Sequence, residues 1–363
     1  MTVLDARALN RATLARQLLL ERSDLPAAGV VAHLGGMQAQ EPQEPFVGLW
    51  SRMRDADPAA VSTLLDERRL VRLHLMRRTV HLVTAADALA WRPRHGEMLR
   101  QRILGTYRAE LADVDLDELA RAAAELLTDL GALSLGDLGR ALAPRWPQAG
   151  FRALGEAAVA ALVPTVQLPP RGTWGATSGA RYAPLASWLG SPRVSAPAPG
   201  GDDPIGQALV RRYLAAYGPA ATADLRAWCG LAGLPGAVAA VRDELISFRD
   251  VRGRELLDLP GAPRPDADTP APVRFLPAFD NVVLGYDDRS RIIDDGHRGL
   301  SVTGARFVLV DGRVAGTWTV ESGQVLVGPL RRLTRPERAE VAHEGRRLSA
   351  FLTERARGRA RIA

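Results

Sequence analysis

Two stretches of this chain repeat one layout. Gly131-Ala132-Leu133-Ser134-Leu135-Gly136-Asp137-Leu138 and Gly218-Pro219-Ala220-Ala221-Thr222-Ala223-Asp224-Leu225 each follow an apolar-periodic helix. Each runs through a Gly turn and a small hydroxyl residue into Asp-Leu at the start of a second helix, and aligning Gly131 with Gly218 also aligns Asp137 with Asp224. A helix, a short Gly turn and a capped second helix make the core of a helix-turn-helix. A third helix is expected after each, over Phe151 to Leu162 and Pro235 to Leu245. Strand signals come next: a Gly- and Thr-rich segment from Val166 to Tyr182, and alternation from Ile246 to Leu259 about the turn Arg252-Gly253-Arg254. Both read as β-wings.

The first part of the chain fits the same plan. Helical spacing runs from Asp5 to Glu21, Pro26 to Leu34, Pro45 to Arg54 and Pro58 to Glu67, and period-2 alternation from Leu70 to Val83. Past the Pro/Gly-rich linkers Ser195–Pro204 and Gly261–Pro272, strands dominate. Asp311-Gly312 is a hairpin signal between apolar runs, and Arg335 to Arg357 closes the chain as a helix. The expected fold is mainly α with β wings. Three tandem winged-helix units (1–95, 96–194, 205–260) precede a small C-terminal β-barrel or sheet domain with its closing helix (273–363).

Composition narrows the function classes. No run of about 18 apolar residues exists, and Met1-Thr2-Val3-Leu4-Asp5 lacks the basic start of a signal peptide. A cytoplasmic protein away from membranes is expected. A single cysteine, Cys229, excludes an intrachain disulfide. The net charge is +6, and all 47 basic residues are arginine. Arginine's planar fork suits phosphate. The absence of lysine removes the side-chain amine that forms Schiff bases and the Lys of a phosphate-binding loop. The histidines (33, 74, 81, 95, 297 and 343) show no metal-ligand spacing, so neither metal nor cofactor is expected.

Between the second and third predicted helices lies His33-Leu34-Gly35-Gly36-Met37-Gln38-Ala39-Gln40-Glu41-Pro42. With it go Arg77-Arg78-Thr79-Val80-His81-Leu82, then Phe275-Leu276-Pro277-Ala278-Phe279-Asp280-Asn281 continuing to Asp288-Arg289-Ser290-Arg291, and Val310 through Trp318. In this order, over almost the whole chain, these segments resemble the AlkZ-like DNA glycosylases, a family of tandem winged helices with a Gln-x-Gln motif. The resemblance implies hydrolysis of the N-glycosidic bond of alkylated purines in double-stranded DNA. Bulky N7-guanine adducts or crosslinks are the expected lesions, with possible self-resistance to a genotoxic natural product, in a monomeric enzyme.

The residues themselves support such chemistry. An N7-alkylated guanine already carries positive charge and leaves without a strong acid. The protein must position water and stabilise the cationic sugar. Two glutamines one residue apart in extended chain point to one side. Gln38 and Gln40 are therefore the catalytic candidates, both facing one pocket and holding the water through amide oxygens. Without lysine, the enzyme should be monofunctional and leave an intact abasic site. Glu41 and Glu44 flank the motif as solvated carboxylates or charge stabilisers. Arg77, Arg78 and His81 at the first wing are candidate DNA contacts. Arg289, Arg291, His297 and Arg298 are further candidates, on a hairpin that the resemblance implies. Arg211, Arg212, Arg226 and Arg242 line a DNA face or solvate it, and Arg355, Arg357, Arg359 and Arg361 form a frayed basic tail. The competing readings are a non-catalytic winged-helix transcriptional regulator and a binding scaffold with a decayed site. The missing dimerisation helix and the appended β-domain argue against a regulator.

Overall fold

The computed structural model describes residues 2–191, 202–354 and 358–362. Most of the expected linker 195–204 lies outside the described residues, as do Arg355 and Arg357.

Strand β1 (Val3–Leu4) leads into α1 (Ala6–Arg16), whose cap Asp5 accepts the Ala8 N–H at 2.7 Å. The helix ends well before Glu21, and Leu18 takes a left-handed φ of 58°. Its buried face carries Asn10, Arg11, Thr13 and Arg16 beside Leu9 and Leu14. It is therefore a polar spoke inside the molecule. Next come α2 (Ala27–His33), β2 (Met37–Gln38), α3 (Glu44–Arg52) and α4 (Pro58–Asp66). The alternating run becomes an antiparallel pair, β3 (Leu70–His74) and β4 (Val80–Thr84), with Leu73 opposite His81. A single helical turn at Met76–Arg78 joins them, with Arg77 and Arg78 both at positive φ.

Helix α5 (Ala85–Thr106) is capped by Thr84, whose side chain accepts the Asp87 N–H at 3.1 Å. It runs straight through Pro93 and through the expected 95/96 boundary. The repeat follows as expected. In α6 (Leu116–Asp129) Leu116, Leu119, Ala123 and Leu127 are buried. In α7 (Leu135–Leu142) the cap Ser134 accepts the Asp137 N–H at 3.1 Å. Helix α8 (Phe151–Ala157) widens into a π-turn at Ala158–Leu162. The strands of the segment expected as the second wing are short: β5 (Thr165–Gln167) and β6 (Tyr182–Pro184), followed by α9 (Leu185–Leu189). Strand β5 pairs with β3 through Arg72 and Gln167, giving one sheet in the order β2-β4-β3-β5-β6. The first two expected units thus share a sheet and a helix.

The third helical set is α10 (Pro204–Tyr217), α11 (Thr222–Cys229) and α12 (Leu234–Ala240). At the second copy of the repeat, the Asp224 carboxylate accepts the Ala221 N–H at 2.9 Å. The expected hairpin forms, β7 (Ile246–Asp250) against β8 (Glu255–Asp258), and β1 from the far end of the chain joins it in parallel. The 261–272 linker is pinned to α1. Arg7, Arg11 and Arg16 donate through Nε to the carbonyls of Ala267, Thr269 and Pro263 at 2.8, 2.6 and 3.1 Å.

The C-terminal region holds β9 (Arg274–Leu276), α13 (Asn281–Leu284), β10 (Phe307–Val310), β11 (Arg313–Glu321) and β12 (Gln324–Pro329). Then come α14 (Arg335–Thr353) and β13 (Arg359–Ile362). The sheet order is β13-β12-β11-β10-β9 with two free edges, so it is an open sheet and no barrel. Asp311 and Gly312 turn the hairpin with φ of 49° and 78°, the two positive values such a turn needs. Val341 and Leu348 of α14 pack on Phe275, Trp318 and Val325 of the sheet. Two expectations are corrected here. Arg359 and Arg361 lie in β13, paired parallel to β12, and not in a frayed tail. Residues 285–306 form no hairpin: burial of Tyr286, Ile292 and Ile293 folds them into turns and a short 3₁₀ helix at Asp295–Ser301. Among the described residues no helix is long and apolar enough to cross a membrane.

Candidate active site

Gly35 and Gly36 aim the Gln-x-Gln segment. Both have positive φ (67° and 92°), and each sits against a neighbour with no room for a side chain. A Cβ on Gly35 would lie 2.9 Å from the Trp228 ring, and one on Gly36 2.7 Å from Val83. Behind them Tyr213, Tyr217, Trp228 and Tyr286 form an aromatic wall, and the Tyr217 hydroxyl donates to the Leu34 carbonyl at 3.2 Å. The backbone then docks on β4, with Gln38 opposite His81 and the Ala39 N–H donating to the Val80 carbonyl at 2.7 Å.

Each residue of the motif is held. The Gln38 amide oxygen accepts from Arg77 Nη2 at 2.7 Å. The Ala39 carbonyl accepts from Arg72 Nη2 at 2.9 Å. The Gln40 amide oxygen accepts the Val80 N–H at 3.2 Å. Gln38 is half-buried and lines a small pocket with Gly36, Tyr217, Phe279, Asp280 and Asn281; Gln40 is exposed and lies outside it. The expectation that both glutamines face one pocket is corrected in that respect.

Arg77 is expected on DNA, but its guanidinium points inward. It donates to Gln38, to Asn281 Oδ1 at 3.0 Å and to the Trp228 carbonyl. Burial, with no carboxylate to offset it, brings its pKa down to about 10. Arg78 pairs with Glu156 at 3.3 Å, both partly exposed. His81 is fully buried. Its Nδ1 donates to the Thr79 carbonyl at 3.1 Å and its Nε2 has no partner among the described residues. Burial first and the charge of Arg77 second push it down to about 3, so the ring is neutral and too deep for phosphate. Arg291 is also misplaced as a DNA contact. It is buried, stacks on Tyr286 at 4.4 Å and donates to the Pro219 carbonyl at 2.9 Å. Arg289 is half-withdrawn onto Ser301 (2.7 Å), whereas Arg298 is exposed and His297 partly so.

Several residues of the site carry no signal in the sequence. Asn281 fixes Arg77 from α13. Its neighbour Asp280 caps that helix at Val282 N–H (2.9 Å) and takes a two-pronged pair from buried Arg52 at 2.8 Å on both oxygens. Both lie in the family-like run from Phe275 to Asn281, which gave neither of them a role. Glu44 is no solvated carboxylate: it is buried, accepts the Ala278 N–H at 2.6 Å and pairs with Arg306. Glu41 is exposed and forms no ion pair among the described residues. Of the surface arginines, Arg211 and Arg242 pair with Glu244 and Glu255 at 2.6 Å, and Arg212 reaches Asp87 at 3.1 Å. The described residues hold no cluster of metal-ligating side chains.

Comparison with known proteins finds both a family and solved structures that the chain resembles. The profile of the family described as DNA glycosylase AlkZ-like matches residues 31–351. The solved structure of Streptomyces sahachiroi DNA glycosylase AlkZ superposes with a TM-score of 0.82 at 23% identity, covering 100% of both chains, which establishes a shared fold. No curated protein sequence matches the chain.

Proposed function

Because this chain belongs to the AlkZ-like DNA glycosylase family, and so is a DNA glycosylase, we propose that it hydrolyses the N-glycosidic bond of alkylated purines, foremost bulky N7-guanine adducts. Three winged-helix units (1–95, 96–194, 205–260), the first two fused through α5, grip the duplex, and 273–363 completes the channel. The observation that carries the reading is the anchored Gln38 amide. An amide oxygen has two lone pairs. Arg77 takes one and leaves the other for the attacking water. Gln40 is held in the same sense by the Val80 N–H, two positions along the extended segment.

Neither glutamine titrates, so their role is to hold water on the sugar's face while the cationic base departs. A guanidinium beside Gln38 makes that residue a positioner and not a stabiliser of positive charge. Among the motif's carboxylates Glu41 is left to meet the cationic sugar, since Glu44 is neutralised by Arg306. Lysine is absent from the chain, so no side-chain imine forms, and the product is an intact abasic site. A bulky adduct resists extrusion into a closed pocket. The lesion is therefore engaged in the channel, with His297 and Arg298 as phosphate contacts.

The test is single-turnover excision on duplexes carrying one 7-methylguanine or one bulky N7-guanine adduct. The wild type should release base and leave an alkali-labile, uncut strand. Gln38→Ala combined with Gln40→Ala should bind the same duplex and release nothing. Full excision by the double variant would sink the assignment. Borohydride trapping of a covalent adduct would sink the monofunctional mechanism.

A further inference from the structure

A cavity of about 430 Å³ lies between α5, α6, the π-turn and α9, and shares no lining residue with the Gln38 pocket. Its volume is within the range of about 300–1,000 Å³ typical of small-molecule sites. The walls are apolar: Leu89, Pro93, Leu162 and Leu185, with Ala120 and Ala124 one turn apart on α6 leaving the space open. The exception is Arg92, which lines the cavity at 3% exposure. Its only hydrogen bond among the described residues runs from Nη2 to the Ala161 carbonyl at 2.7 Å. That uses one of five N–H donors. No described carboxylate pairs with it, and residues 192–201, which follow α9, contain no acid. Burial alone, unopposed by any negative group, lowers its pKa to about 10. Its remaining donors meet no protein acceptor among the described residues, so an anion entering the cavity finds a cation that no carboxylate has neutralised. The rim charges, Arg121 and Glu125, are exposed and opposite in sign, so the discrimination falls to Arg92.

We propose that this cavity binds a small amphipathic monoanion, its carboxylate on Arg92 and its apolar chain against Leu89, Pro93, Leu162 and Leu185. The site is separate from the glycosylase centre and does not depend on the assignment of the glutamines. Calorimetric titration of the full chain with decanoate, 1-decanol and decyltrimethylammonium, each below its aggregation concentration, tests it. Decanoate should bind at one site per chain, on the order of tenfold tighter than decanol. Decyltrimethylammonium should not bind. Ala124→Phe, which fills the space without touching charge, should weaken decanoate by more than about tenfold and leave base excision unchanged. Arg92→Gln keeps a donor for the Ala161 carbonyl and should bind decanoate and decanol alike. Equal binding of decanoate and decanol by the wild type, no binding at all, or undiminished decanoate binding by Ala124→Phe would each overturn the proposal. If Arg92→Gln fails to fold, the wild-type selectivity and Ala124→Phe decide it.

Discussion

An arginine has donors and no acceptor, so Arg77 can meet Gln38 only through the amide oxygen. That single contact fixes which end of Gln38 faces the protein. The same guanidinium is held by the Trp228 carbonyl and Asn281, so it cannot swing away to a phosphate without breaking all three bonds. Arg77→Met should therefore act on the chemical step. A misplaced positioning group costs about 10²-fold in rate, and we expect a loss of that order in single-turnover excision at saturating enzyme. DNA affinity and its salt dependence should hardly change. Arg77→Lys, with a point charge in place of the fork, should fall between. A variant that excises at the wild-type rate but binds with a shallower salt slope would return Arg77 to the role of phosphate contact. The glutamines were legible because their spacing is local. Arg72 was not, because an arginine turned inward and an arginine on the surface are identical letters, and Asp280 and Asn281 stood in the family-like run with no role attached. Only the packing of Gln167, Ala39 and Arg52 around them separates the two cases.

Local signals predicted elements well. The turn repeat, the Ser134 cap and the Asp311-Gly312 hairpin each depend on residues within a few positions of one another. Pairings set by distant chain were invisible: β1 on β7, β13 on β12, and β5 on β3. The boundary expected at 95/96 falls inside α5, where the buried Trp91, Met98 and Leu99 carry the helix past Pro93. A Cβ on Gly139 of α7 would lie 2.0 Å from the Phe151 carbonyl oxygen, so α7 and α8 touch there backbone to backbone. Gly136, one turn earlier, faces only the flexible end of Arg140. Gly139→Ala should cost about 1–3 kcal/mol by overpacking. Gly136→Ala should gain a few tenths up to about 1 kcal/mol from helix propensity. Urea unfolding of the two variants measures the difference, and equal midpoints would mean that α7 shifts freely.

The expected string of separate units is drawn together by buried polar groups. Arg16 of α1 pairs with Asp258 of β8 at 2.6 Å with both side chains buried, and Arg52 of α3 pairs with Asp280 beside α13. A helix at the start of the chain thereby clamps the β7–β8 hairpin, the 261–272 segment and the C-terminal sheet. The histidines of the shared sheet and helix belong to the same interior. His81 on β4 and His95 on α5 are fully buried, each with Nε2 unpartnered among the described residues. Burial holds them near 3 and near 4, and holds His74 on β3 near 4 as well, against an ordinary value of 6.5. The folded chain keeps all three neutral while the unfolded chain takes up protons below about pH 6.5. Stability from these groups is thus complete above pH 6.5 and is lost as the pH falls toward 4. Each group contributes up to about 1.4 kcal/mol per pH unit, so the three give a slope approaching about 4 kcal/mol per unit near pH 5. Carboxylates held by arginines, such as Glu337 at about 2, add their loss only below the ordinary carboxylate range. The window from pH 6.5 to 5 therefore isolates the histidines. Urea midpoints taken at steps from pH 8 to 5 should be flat to about pH 7 and then fall. His95→Gln should remove about a third of the decline. A profile flat to pH 5 would mean that the interior admits protonated imidazole, and that the shared sheet opens independently of the rest of the chain.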